Sequence, residues 1–410
     1  MTTKPKAKAA AAQSTSPDAG LASLLKMAEK NAATKGKMSR ASEAKEDYVD
    51  FVDITSKSPR PCILLEYLFS TRGLSTGRVV KIDAEEATGK SSLLYLLYGG
   101  AQRGVGAYIL NHETERALMP PDRIARLGCD PSKLMLYRPG DLDDCLKSSK
   151  QFVLNVRQML DKPMAYPIFI GIDSVSSVAG TECDPVTGEP LDAKGKGLGY
   201  HARRFSEFFR DELGFLAANR VVLLGTGQSK TGFNTLPGGR QMASGKTALA
   251  EGTFKFHSSW IISMKRQNSE KPGGEFIVCT SAKNKMGPKR REIKLLLYND
   301  ERCWDFAFGT ASLLFSTMSP FDAKDKWTSN AGRYTHARVG KGSSLCAEDF
   351  VDAFYQNEEL VMQCREAWKV RGFGLPFENI EMPWDQDSED ETPLMDPSVP
   401  EVASETNKLK

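Results

Sequence analysis

The residues best suited to chemistry open with Ala84-Glu85-Glu86-Ala87-Thr88-Gly89-Lys90-Ser91-Ser92, which follows an apolar run and leads into a helical pattern. Backbone N–H groups of such a turn, with the N-terminus of the next helix, cradle phosphate oxygens; Lys90 adds a point charge, and the Ser91 hydroxyl is a hard oxygen suited to Mg²⁺. The loop begins with Ala84 where the usual pattern has glycine, which a negative φ permits. The apolar run Pro167-Ile-Phe-Ile-Gly-Ile-Asp173-Ser174 ends in an acid, which brings a carboxylate to the water shell of a Mg²⁺ on Ser91. Another run ends in Asn111-His112-Glu113, and Glu113 there is a candidate general base for a water attacking the terminal phosphate. Gly225-Thr226-Gly227-Gln228 ends a fourth, with a neutral amide able to sense that phosphate. Ser244-Gly245-Lys246-Thr247 fails the same pattern, because Arg240 stands where it needs glycine and no apolar strand precedes it. His112, His201, His257 and His336 have no metal-like spacing and read as structural.

These residues need strands that end on one edge. Residues 78–82, 107–110, 167–172 and 219–224 read as strands, and 91–102, 120–127, 142–160 and 200–218 as helices between them. Strands alternating with helices imply right-handed crossovers and a mainly parallel sheet covered on both faces, an α/β core. Residues 259–264, 275–280 and 292–298 follow with only turns between them, which predicts an antiparallel extension of the sheet. The reading divides the chain into a disordered basic N-terminus (1–20), a helix and linker (21–57), the core (58–305), a small helix-leaning C-terminal lobe (306–384) and an acidic disordered tail (385–410). The apolar stripe Leu21, Leu24, Leu25, Met27 needs a partner, either the chain's own body or a neighbouring protomer.

With 40% hydrophobic and 26% charged residues the composition is that of a globular protein, and no apolar run is long enough for a membrane helix. No secretory signal is evident in the basic, Ala-rich start, so a cytoplasmic location without membrane partners is expected. Eight cysteines without a C-x-x-C pair argue against zinc modules and a disulfide framework. Residues 1–40 carry eight Lys or Arg against two acids, whereas ten acids and no Lys or Arg lie between Glu378 and Glu405. That tail either solubilises or competes with nucleic acid for basic surface.

Taken in order, these motifs resemble the bacterial RecA recombinase family, phage UvsX-like members included, over about residues 20–300 and the acidic tail. Gly73 to Ile82 matches the strand that leads into the phosphate loop, Glu86 the acid within it, Glu113 the catalytic glutamate, Asp173-Ser174 the strand-end pair and Gln228 the glutamine that couples nucleotide to DNA. Lys283-Asn284-Lys285 matches a tripeptide whose lysines reach the neighbouring protomer's ATP, and Lys255-Phe256 an interface pair. Arg123 stands where the family has an adenine-stacking tyrosine, and a guanidinium also stacks on a base.

The resemblance implies a RecA-like P-loop ATPase core with ATP and Mg²⁺ as cofactors, forming a homo-oligomeric helical filament on single-stranded DNA and pairing it with double-stranded DNA. It implies two disordered DNA loops, 179–199 and 229–252, presenting Lys194, Lys196, Lys230, Arg240 and Lys246 to phosphates and Phe233 or Met242 to bases. Arg203 and Arg210, on one helix face, would add backbone contacts. Single-strand-binding and loader proteins are further candidate partners. A hexameric motor sharing the phosphate loop, and a weakly catalytic scaffold suggested by Ala84, stay open at this point.

Overall fold

Val79 to Ala84 sends Val80, Ile82 and Ala84 into one apolar layer, while on the other face Val79 enters a second and the buried Lys81 pairs with Asp83 at 2.8 Å. The computed structural model describes residues 48–53, 60–115, 119–178, 200–228, 232–235, 241–244, 249–267, 273–298, 300, 303–318, 327–330 and 332–368. Among these residues the main sheet has nine strands: β1 (Val79–Ala84), β2 (Tyr108–Glu113), β3 (Leu134–Tyr137), β4 (Ile168–Asp173), β5 (Val221–Gln228), β6 (Trp260–Gln267), β7 (Gly274–Asn284), β8 (Glu292–Tyr298) and β9 (Trp304–Asp305). Their spatial order is β9-β8-β7-β6-β1-β5-β4-β2-β3. From β6 to β3 the pairing is parallel, and β7, β8 and β9 join in antiparallel fashion. The mixed α/β sheet with its antiparallel extension is therefore as expected.

The helices are α1 (Ile63–Phe69), α2 (Lys90–Val105), α3 (Pro121–Arg126), α4 (Leu142–Met159), α5 (Tyr200–Ala218), α6 (Leu249–His257), α7 (Phe306–Met318), α8 (Ala347–Tyr355) and α9 (Glu358–Trp368). α1, α2 and α7 to α9 share one apolar layer with the sheet, and α4, α5 and Phe254 of α6 the other.

Three features depart from the sequence reading. The second expected DNA loop, 229–252, contains an antiparallel pair, Gly232–Thr235 with Gln241–Ser244, and then the start of α6. Main-chain pairing needs no apolar alternation, so a Gly- and Ser-rich composition concealed it. β3 was not anticipated either; it is an edge strand with Met135, Leu136 and Tyr137 exposed. At the expected start of a polar C-terminal lobe stands α7, an apolar helix packed on α1 and β8. One hydrophobic cluster runs from Val49 to Trp368 across that boundary. Glu66 of α1 accepts a 2.5 Å hydrogen bond from Arg365 of α9, both buried, and the Trp368 indole donates to the Thr317 hydroxyl at 3.1 Å. The N-terminal helix, the first DNA loop and the acidic tail lie outside the described residues.

Within the sheet, Gly171 of β4 meets Tyr98 of α2. A Cβ there would stand 1.6 Å from the Tyr98 hydroxyl and 2.5 Å from the Asn111 Oδ1 that accepts its hydrogen bond. The ring is rigid and enclosed, so Gly171→Ala must displace it and break that bond; a loss of about 2–4 kcal/mol is expected. Urea denaturation measures it, and Tyr98→Phe in the Gly171→Ala background should recover part of the loss.

Of the histidines, His112 is buried, with Nε2 2.8 Å from the Ser149 hydroxyl, and burial pushes its pKa down to about 4. His336 is buried against Trp327. Among the described residues no cluster of three His, Cys, Asp or Glu could hold a metal, no cysteine forms a disulfide, and no helix is long and apolar enough to cross a membrane.

Candidate phosphate site

The loop between β1 and α2 folds as its sequence requires. Ala84 closes β1 outside the left-handed region, so the methyl in place of glycine is accommodated without strain. Ala87 (φ 57°) and Gly89 (φ 89°) make the tight reversal, and at Gly89 a Cβ would stand 2.8 Å from Leu297. Lys90 is nearly buried; its Nζ donates to the carbonyls of Ala84 (3.4 Å) and Glu85 (2.8 Å), which folds the amine back over the loop. Burial pulls the Lys90 pKa down, and Glu115, Asp173, Glu86 and Asp83 oppose that, in this order. The Thr88 hydroxyl donates to the Glu86 carbonyl, and Arg266 of β6 donates to that of Ala87, a tie across the sheet that no motif signalled.

Register brings the other strand ends to this edge. Ala84 pairs with Gln228, and Glu113 with Asp173. Asp173 is buried; burial raises its pKa while hydrogen bonds from Ser91 and Thr226 lower it. Ser91 and Asp173 thus touch, and a hydroxyl beside a carboxylate is a donor set that fits Mg²⁺ carried with its waters. Asp173-Ser174 is a cis peptide.

The two glutamates differ in a way the motif did not reveal. Glu113, expected as the base, is 5% exposed, and its charge acts on the buried Tyr95 beneath. Glu115, two residues on, is exposed; its carboxylate accepts hydrogen bonds from Ser174 (2.7 Å) and Ser177 (3.2 Å), and it is the strongest opposite charge acting on Lys90.

Lys283 and Lys285 lie elsewhere. Trp260 pairs with both Val80 and Asn284, so the tripeptide is level with the start of β1. At roughly 3.3 Å per residue, the length of β1 separates it by on the order of 15 Å from the loop at the other end. Asn284 is buried and donates to Phe69 O (3.0 Å) and Ser70 Oγ (2.9 Å), which anchors the tripeptide. Phe256 is 75% exposed beside it.

Arg123 on α3 is half-buried, near enough to Cys303 to lower that thiol's pKa against the larger effect of burial. The neighbouring Trp304 indole donates to Ser92 O at 3.3 Å, which places Arg123 on the α2 side of the loop. Arg203 and Arg210 are exposed on α5, beside Glu207 (3.9 Å) and Asp211 (2.8 Å) respectively. Lys194, Lys196, Lys230, Arg240 and Lys246 lie outside the described residues, and Phe233 is placed only by its backbone, in the strand Gly232–Thr235.

No protein-family model matches the chain. It is 26% identical over 317 residues to Protein RecA of Chlamydia trachomatis serovar A, which covers 75% of this chain and 82% of that protein. It is 27% identical over 246 residues to Protein RecA of Amycolatopsis mediterranei, covering 58% and 64% of the two chains, and 26% identical over 273 residues to Protein RecA of Bifidobacterium longum, covering 65% and 62%. The chain is thus similar to RecA proteins over most of its length. The strand ends that carry Asp173, Gln228 and Glu113 lie on the same edge as the loop of Lys90 and Ser91.

Proposed function

We propose that the chain is an ATP-dependent DNA recombinase that assembles as a helical filament on single-stranded DNA and catalyses homologous pairing and strand exchange with a duplex. The observation that supports this reading is that the loop residues and the Lys283/Lys285 pair lie at opposite strand ends of one sheet. The loop, Lys90, Asp173 and Glu115 occupy one edge, and Lys283 and Lys285 the other, where a neighbouring copy's nucleotide would meet them.

Bound ATP with Mg²⁺ supplies the bond that is cleaved and the metal charge that screens its oxygens. The chain's own residues do the rest. Lys90 and the α2 N-terminus hold the phosphates, Ser91 and Asp173 orient the metal's ligands, Glu115 accepts the proton of the attacking water, and Gln228 reports the terminal phosphate to the hairpin that follows it. Arg123 would lie against the base. The loops at 179–199 and 229–252, with Arg203 and Arg210, would track DNA phosphates in the cytoplasm of the cell that carries the protein. ATP turnover with and without single-stranded DNA, combined with electron microscopy, tests the reading. Open helical filaments and DNA-stimulated turnover are expected; closed rings, or turnover indifferent to DNA, would overturn it.

The acidic tail adds an expected outcome. Ten acids between Glu378 and Glu405 can occupy the basic surfaces that DNA phosphates use, so a chain ending at Trp384, which lacks eight of them, should bind DNA more tightly. The gain should be largest at low salt and vanish near 1 M, where screening shortens the reach to ~3 Å. Duplex binding should gain more than single-strand binding, which also draws on base stacking. Affinities across a salt series check this; coincident curves would leave the tail a solubiliser.

A further inference from the structure

Lys283 and Lys285 are two residues apart and both basic, yet the structure gives them different work. The Lys283 ammonium donates to the carbonyls of Lys255 (2.9 Å) and Phe256 (2.8 Å), in the last turn of α6. Carbonyls at a helix C-terminus have no partner within the helix and carry its negative dipole end, so a cation there is a cap. Among the described residues no such contact ties Lys285, whose backbone N–H instead bonds Ser259 O at 2.9 Å.

The capped helix is well placed to transmit a signal. α6 begins five residues after the hairpin Gly232–Thr235/Gln241–Ser244. Its C-terminal end is otherwise held by the Phe254 ring against Phe205 and Phe209 (centroids 5.7 and 5.3 Å) and by His257 stacked on Phe209 at 4.7 Å. Beside it lies a pocket of about 390 Å³ lined by Arg78, Phe256, His257, Lys283 and Lys285, with no acid among its lining residues. Burial, then Lys285, Lys255 and Lys289, pull the Lys283 pKa down; burial, then Lys285 and Lys283, do the same to His257. The pocket is a crowd of like charge that an anion would relieve. An ammonium has three donors, and two of those on Lys283 are engaged with α6.

We propose that Lys283 is a positioning residue that joins a phosphate oxygen in this pocket to the last turn of α6, so that the neighbour's terminal phosphate acts on the helix that follows the DNA hairpin, whereas Lys285 contributes charge alone. This rests on the cross-interface reading given above. With the third N–H on the phosphate and the other two on the carbonyls, occupancy of the pocket tightens the α6 terminus, and loss of the terminal phosphate loosens it.

Hydrogen exchange of residues 252–259 tests the link in wild-type protein, Lys283→Met and Lys285→Met, each alone and with single-stranded DNA plus a non-hydrolysable ATP analogue. Methionine keeps the aliphatic stem, and far-UV circular dichroism verifies folding. In the free proteins Lys283→Met should exchange about tenfold faster than wild type in this segment, the size of one or two hydrogen bonds to a charged donor, while Lys285→Met matches wild type. In wild-type filaments seen by electron microscopy the segment should become slower. Equal exchange of free Lys283→Met and wild type, or filaments with an unchanged segment, would overturn the link. If no filaments form, the cross-interface reading fails instead, and the proposal that depends on it falls with it, whatever the free proteins show about the cap.

Discussion

Lys283→Ala and Lys285→Ala will each remove DNA-stimulated ATP hydrolysis while leaving each protomer able to bind nucleotide. The tripeptide is held at the start of β1 by buried Asn284, so neither ammonium can fold back to the loop beyond Ala84 in its own chain. A cation supplied in trans to transferring phosphate is worth about 10³–10⁵ in kcat when it is an arginine, and a loss of at least ~10² is expected for these ammonium groups. Mixing is the decisive measurement. A Lys90→Ala protomer, which cannot hold phosphate but keeps both lysines, should restore turnover to a Lys285→Ala protomer at their shared interface. If the mixture is no more active than the sum of its parts, the lysines do not act across an interface.

The second large effect separates the two glutamates. Glu115→Gln should lower kcat by about 10²–10⁴ with nucleotide affinity nearly kept, because an amide accepts a hydrogen bond from water but not its proton. Glu113→Gln should leave far more activity, since that carboxyl is only 5% exposed. Single-turnover hydrolysis alongside nucleotide affinity distinguishes loss of chemistry from loss of binding. The reverse ranking would return the base role to Glu113.

How much of this was legible beforehand follows from the kind of signal each element carries. Strands β1, β2, β4 and β5 are apolar runs closed by polar residues, and burial on both faces forces that texture, so both the sheet and its edge of polar ends could be read directly. Lys90 and Ser91 were legible because the loop needs them at fixed offsets from Gly89. Glu115 was not, since it stands past the strand end, where only the register with β4 and the Ser174 hydroxyl define its place. Arg266 reaches Ala87 across a contact that no local pattern encodes. α7 was read as part of a polar segment because the residues after it are polar, although its own thirteen residues are mostly apolar.

The pairing of Glu66 with Arg365 also orders events during synthesis. The two are 299 residues apart, and at about 5–20 residues per second roughly 15–60 s pass between their emergence from the ribosome. Through that interval α1 holds an acid destined for burial without its cation, and a carboxylate is costly to enclose unpaired. The nascent chain can therefore lay down the phosphate loop and its strands, but it cannot seal the layer beneath α1 until α9 has been made. Closure of this layer is in this way tied to the synthesis of α9.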